Sequence, residues 1–332
     1  MISEKYVLVT GGAGYIGSHA CKALHKQGYT PVAYDNLVYG HPWAVRWGPL
    51  EEGDIADRQR LDAVISKYQP VAVMHFAAYA YVGESVTDPG KYYRNNVAGS
   101  LPLLEAIRDH HIDKFIFSSN CATYGVPNVI PIKEDQPQNP INPYGASKLM
   151  IERILQDFNH VHGIKSVCLR YFNAAGADPD GELGEAHDPE THLIPLVLDA
   201  ISGRRENIKI FGDDCNTPDG TCIRDYIHVG DLADAHVLAL QALERGAKSS
   251  VFNLGNGEGF SVSEEISAAE SVTGLPANVV KVARREGDPA RLIGDPTHAC
   301  EQLGWKPQFS DINKILETAW LWHSNQNREE LK

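Results

Sequence analysis

The chain has 332 residues, 43% hydrophobic and 22% charged, enough apolar material for a large core in one large domain or two. With 30 Lys+Arg against 43 Asp+Glu its formal net charge is −13, which disfavours nucleic acid or an anionic membrane as the main partner. A small anion held by a local pair of arginines remains compatible with that field. The opening Met-Ile-Ser-Glu-Lys runs almost at once into an apolar strand, so no signal or transit peptide is expected. Cys21, Cys121, Cys168, Cys215, Cys222 and Cys300 show no Cys-x-x-Cys spacing. They read as small core residues of a cytoplasmic protein, with no metal site expected.

Residues 5–10 form a β-branched run that reads as a buried strand. Gly12-x-Gly14-x-x-Gly17 follows and opens a helical periodicity over 16–24 that closes near Gly28. Strand, glycine turn and helix together are the context of a dinucleotide fingerprint. The glycines allow a tight turn and let a pyrophosphate approach the helix N-terminus. A second strand, 31–34, leads to Asp35. A carboxylate there accepts the adenosine ribose hydroxyls and repels a 2′-phosphate, which favours NAD over NADP.

Further strands are expected at 71–76, 114–119 and 166–171, with helices over 58–67, 92–110 and 144–162. This alternation predicts an α/β fold: a Rossmann-type, doubly wound parallel sheet over 1–172 that binds NAD. Residues 173–332 read as a smaller mixed α/β substrate domain, whose segment around 225–245 is placed to pack back on the first. One helix is expected over 231–245 with Asp231 as its N-cap. His187 and His192 frame an acidic loop, but no strand or helix sets them at metal-ligand spacing. His110-His111 reads as a helix end, and Trp43 and Trp47 as local packing.

Tyr144-Gly-Ala-Ser-Lys148 carries the chemistry. Residues four apart share one helix face, so the phenol and the ammonium can converge. A fixed cation favours the phenolate and moves Tyr144 toward useful acid–base catalysis.

Thr10-Gly-Gly-Ala-Gly-Tyr-Ile-Gly-Ser-His19, Asp35-Asn-Leu37 and His75-Phe-Ala-Ala78 resemble the extended short-chain dehydrogenase/reductases. Val82-Gly-Glu-Ser85, Asn142-Pro-Tyr-Gly145, Arg170-Tyr-Phe-Asn173, Arg224-Asp-Tyr-Ile-His228 and Arg285-Glu-Gly-Asp288 narrow the resemblance to UDP-hexose 4-epimerases of that family, over nearly the whole chain. The resemblance implies an isomerase that interconverts UDP-glucose and UDP-galactose through a transient 4-keto sugar. It implies NAD contacts from Gly11, Gly14, Tyr15, Ile16, Gly17, Asp35, Asn36, Asp54, Ile55, Phe76, Ala77, Ala78, Asn95, Ser118 and Phe172, with Tyr144 as acid/base and Lys148 on the nicotinamide ribose. Asn173, Leu193, Phe211, Arg224, Tyr226, Arg285, Asp288 and Leu292 match the positions that hold the UDP-sugar. Two arginines suit a diphosphate, which takes forked, charge-assisted hydrogen bonds. A homodimer through segments 101–107 and 149–158 is implied as well.

One departure stands out. Members of the family usually carry Ser or Thr where Asn120 follows Ser118-Ser119. An amide cannot relay a proton as a hydroxyl does, so Tyr144 is expected to exchange the proton directly while Asn120 orients the sugar. Thr123 could supply a hydroxyl in its place. Asn120-Cys121-Ala122 lacks the carboxylate of the related 4,6-dehydratases, which makes dehydration the weaker expectation. Related motifs also occur in UDP-xylose/UDP-arabinose 4-epimerases, which leaves that reaction as an alternative; an NAD-sensing protein without activity is the weaker alternative, because Tyr144 and Lys148 are both kept. Leu292 replaces a bulky tyrosine of some members, which predicts room for N-acetylated sugars.

Overall fold

A computed structural model describes residues 4–284 and 289–326. The first half of the chain builds β1 (Tyr6–Thr10), α1 (Tyr15–Lys26), β2 (Thr30–Asp35), β3 (Leu50–Glu52), α2 (Arg58–Tyr68), β4 (Ala72–His75), α3 (Val82–Thr87), α4 (Pro89–Tyr92), α5 (Ser100–Asp109), β5 (Lys114–Asn120), α6 (Pro143–His162) and β6 (Lys165–Tyr171). The second half adds β7 (Asn173–Ala175), α7 (Leu193–Ile201), β8 (Ile208–Phe211), β9 (Ile223–Arg224), β10 (Tyr226–His228), α8 (Val229–Glu244), β11 (Ser250–Leu254), β12 (Phe260–Ser261), α9 (Val262–Thr273), β13 (Val279–Val282), β14 (Arg291–Leu292), α10 (Thr297–Leu303) and α11 (Ile312–Ser324).

Seven strands form one parallel sheet in the order β11-β6-β5-β4-β1-β2-β3. The winding reverses between β1 and β4, and a crevice opens there at the carboxyl ends of the strands. Apolar side chains cover both faces: Leu24, Leu232 and Leu240 belong to one layer, Leu61, Leu103 and Ile151 to the other. A third core gathers α7, α9 and α11.

The chain crosses its expected division at residue 172 twice. β11 returns from the second half to the sheet edge beside β6, and α8 packs its leucines in the same layer as α1. Among the described residues, the remaining second half forms three small sheets, β10-β7, β12-β9-β14 and β13-β8.

Local chemistry sets the helix ends. Asn142 accepts the Gly145 amide at 2.8 Å, Pro143 occupies the first helical position, and Gly163 closes α6 at φ +73°. Two expectations need correction. The 92–110 segment is not one α-helix: a π-helical turn, Tyr93–Ala98, separates α4 from α5. The wider turn lets the buried Asn96 bond to Tyr79 and to Ser147 of α6. The N-cap of α8 is His228, whose Nδ1 accepts the Gly230 amide at 3.0 Å, because β10 runs into the helix without a loop. Asp231 lies within the first turn and accepts the amides of Gln308 and Phe309 at 2.8 and 2.9 Å. No helix among the described residues is long and apolar enough to cross a membrane.

Candidate active site

The turn after β1 is packed backbone against backbone. Gly11 has φ +74°, and a methyl group there would lie 2.6 Å from the Ala77 nitrogen. A methyl group on Gly17 would lie 2.1 Å from the Gly11 carbonyl oxygen. No side chain caps α1, which begins directly after the glycine turn. An anionic pyrophosphate fits that end of the helix. Phe76 and Ala77 donate their amides to the Thr10 carbonyl at 2.9 and 3.1 Å, which seats 76–78 beside the turn.

Asp35 ends β2 and accepts the amides of Ala13 and Leu37 at 3.0 and 2.9 Å. Burial nevertheless holds its carboxyl above the usual value. Asn36 donates to Asp54 at 2.9 Å, and Ile55 is buried just beyond, so these three stand together at one edge of the crevice. Asn95 donates to Asn96 at 3.0 Å.

Tyr144 and Lys148 lie buried on one face of α6. The Lys148 ammonium donates to the Ser118 carbonyl at 2.7 Å and stands 5.8 Å from the Tyr144 ring centre. Burial brings Lys148 down to about 7 and drives the Tyr144 phenol well above its usual value. Desolvation is the largest cause in both, so the phenol shifts in the direction opposite to the one expected from a fixed cation. Ser118 Oγ hydrogen-bonds the Tyr171 hydroxyl.

Asn120 ends β5. Its Oδ1 accepts the Ala122 amide at 2.8 Å and caps a short 3-10 turn, Cys121–Thr123. Thr123 is fully buried and donates to the Asn120 carbonyl at 3.0 Å, which removes it as a hydroxyl for substrate. A methyl group on Gly145 would lie 2.4 Å from the Ala122 oxygen, so this turn abuts the start of α6.

Across the crevice, Asn173 pairs with Tyr226 between β7 and β10, and its Nδ2 donates to the Asp225 carbonyl at 3.0 Å. Arg224 on β9 stands opposite Leu292 on β14, and Leu292 packs on the cluster that contains Phe172 and Cys121. Phe172 also lies against Gly294. Leu193 begins α7 and Phe211 ends β8, both on the third core's elements. Arg285 and Asp288 lie outside the described residues.

The family model for NAD dependent epimerases and dehydratases matches residues 7–255. The chain belongs to the NAD dependent epimerase/dehydratase family. It is 54% identical over 322 residues to the UDP-glucose 4-epimerase of Rhizobium meliloti, covering 97% of this chain and 98% of the relative. The UDP-glucose 4-epimerase of Brucella ovis, solved in complex with NAD, superposes with TM-score 0.94 at 56% identity, over 95% of this chain and 97% of that one. The enzyme from Bifidobacterium longum, solved with NAD+ and UDP, gives TM-score 0.91 at 37% identity over 96% and 98%.

Two elements of this epimerase-family site escaped the sequence reading. Glu152, two turns beyond Tyr144 on α6, takes Arg170 of β6 in a buried pair and accepts the Ser119 hydroxyl at 2.5 Å. Asp225, inside the quoted 224–228 block, accepts the amides of Asn256 and Gly294 at 2.8 and 3.1 Å, and burial lifts its carboxyl to about 7. The i+4 spacing from Lys148 to Glu152 was the available signal for the first; the second had none beyond its neighbours.

Proposed function

We propose that the chain interconverts UDP-glucose and UDP-galactose by inversion at C4, with Tyr144 as the acid/base. The activity class is an NAD-dependent 4-epimerase. The observation that carries the reading is the convergence of Tyr144, Lys148 and the Ser118 carbonyl at the strand ends.

The residues at the glycine turn, with Asp35, Asn36 and Asp54, fit a dinucleotide. When bound, NAD supplies reversible two-electron oxidation at the sugar carbon. Tyr144 takes and returns the proton of the 4-hydroxyl. Lys148 sets the charge beside it, and a ribose hydroxyl is the partner that its remaining protons suit. Asn120, with Oδ1 held by Ala122, offers its amide hydrogens to the sugar. Arg224 neutralises the diphosphate, joined by Arg285, while Asn173, Tyr226, Phe211 and Leu193 line the nucleotide. A firm UDP anchor with a loosely held hexose lets the keto sugar present either face. With Leu292 where some members carry a bulky tyrosine, an N-acetylated hexosamine is expected to be accepted, and UDP-N-acetylglucosamine is the substrate to try next.

Pairing of two copies through α5 and α6 belongs to the same reading, supported by the exposed Leu101 and Met150. A cytoplasmic setting does too, since the six cysteines form no disulfide. The test is incubation of the purified chain with UDP-galactose and no added cofactor, followed by NMR. UDP-glucose without net NADH supports epimerisation; a 4-keto-6-deoxy product moves the reading to dehydration.

A further inference from the structure

We propose that Glu185, His187, Glu190 and His192, on the loop between β7 and α7, form a binding site for one divalent transition-metal ion of the zinc class. Each offers one ligand atom, and the four atoms lie within 4.8 Å of one another. His192 Nδ1 stands 2.6 Å from Glu185 Oε1 and 3.2 Å from Glu190 Oε1. His187 Nδ1 stands 2.9 Å from Glu185 Oε1 and 3.9 Å from Glu190 Oε2. In a tetrahedral zinc site with bonds of about 2.0–2.2 Å, neighbouring donors sit roughly 3.3–3.6 Å apart. The observed spacings, from 2.6 to 3.9 Å, bracket that range.

The donor set fixes the class of ion. Two imidazoles and two carboxylates suit zinc, cobalt, nickel or copper, whereas magnesium and calcium prefer all-oxygen shells with more ligands. The neighbouring carboxylate cluster makes the contrast. Asp178, Asp180 and Glu182 close on the Lys22 ammonium at 2.7, 2.8 and 2.7 Å, a permanent cation that the chain itself supplies. Glu185 and Glu190, with side chains only 7% and 8% exposed, pair instead with the two imidazoles.

The loop is held in place around the cluster. Trp322 Nε1 donates to the Glu185 carbonyl at 3.0 Å, and the His41 ring nitrogen meets the Ala186 carbonyl at 2.8 Å. Glu190 Oε1 accepts the amides of Thr191 and His192 at 2.7 and 2.8 Å, which orients that carboxylate. The His187 ring stands edge-on to Tyr15 and Tyr81, at 6.1 and 6.2 Å between ring centres. His192 is 44% exposed and leaves the ion a path from solvent. A bound ion would fasten this loop across the start of α1, where Tyr15 donates to the Gly176 carbonyl at 2.6 Å, and fix the first residue of α7.

The test uses the full chain without a histidine tag, carrying C215S and C222S, because those thiols lie 3.4 Å apart and are a competing zinc ligand pair. Zinc is added, excess removed by gel filtration, and bound metal counted and titrated against a chromogenic chelator. The expected result is one zinc per chain with Kd below about 1 µM, weakened at least tenfold by H192Q and at least a hundredfold by E185Q/H192Q (about the range of ligand and outer-shell losses). Circular dichroism establishes that the variants fold; the half-exposed His192 is the substitution least able to disturb them. Zinc should also raise the thermal midpoint of the parent and not of the double variant. No retained zinc, or equal retention by parent and H192Q, would overturn the site.

Discussion

Arg170 on β6 grips Glu152 on α6 through two hydrogen bonds of 2.9 and 2.6 Å, in a pair almost sealed from solvent. The same carboxylate accepts hydrogen bonds from the Ser119 hydroxyl and the Gln138 amide, and the same guanidinium reaches the Tyr124 hydroxyl at 2.8 Å. The pair ties the helix that carries Tyr144 and Lys148 to the strands beneath the site. Removing one partner leaves a buried charge unmatched. R170A should therefore lose about 3–5 kcal/mol of unfolding free energy, and R170A/E152A less than the sum of the single changes. Urea titration of the three variants checks this.

Tyr144→Phe removes the hydroxyl proposed to move the proton and leaves the ring in its buried place. Turnover should fall by about 10²–10⁴-fold. UDP affinity, which the proposed reading assigns to other residues, should stay unchanged. Steady-state rates paired with UDP calorimetry separate the two effects.

Asn120 is committed through Oδ1 to the Ala122 amide. A serine can hold the same amide and restores a hydroxyl at the end of β5. If Tyr144 exchanges its proton directly with the sugar, Asn120→Ser changes turnover by less than about tenfold, and a gain of about a hundredfold contradicts direct exchange.

Glu265 on α9 is fully buried beside Tyr226, and neither carboxylate oxygen makes a hydrogen bond of ordinary geometry among the described residues. Burial pushes its carboxyl up to about 8, against roughly 4.3 in the unfolded chain. Between those values the folded state holds a proton that the unfolded state has released. The stability this group contributes is thus present below pH of about 4.3 and lost as pH rises toward about 8, by at most about 1.4 kcal/mol per pH unit. E265Q should match the parent near the lower limit and become progressively more stable than it up to about pH 8. Parallel melting curves across that range read the gap.

Local patterns carried much of this molecule in the sequence. The β-branched run before Gly11, the periodicity after Gly14 and the four-residue step from Tyr144 to Lys148 each reflect a single strand, turn or helix face. Pairings between distant segments were hidden, because no spacing records them. β11 returns to β6 from beyond the expected domain boundary, and Arg170 meets Glu152 across two elements. The turn at Tyr93–Ala98 kept helical periodicity while adding one residue to its hydrogen-bonded ring. The loop that brings His187 and His192 together has neither helix nor strand to signal it.

The most direct test of C4 inversion follows UDP-galactose deuterated at C4 through a single incubation, read by NMR. The account predicts UDP-glucose with deuterium kept at C4, since the atom removed from one face of the sugar returns to the other within the closed site. Loss of the label to water, or its appearance at another carbon, would contradict it.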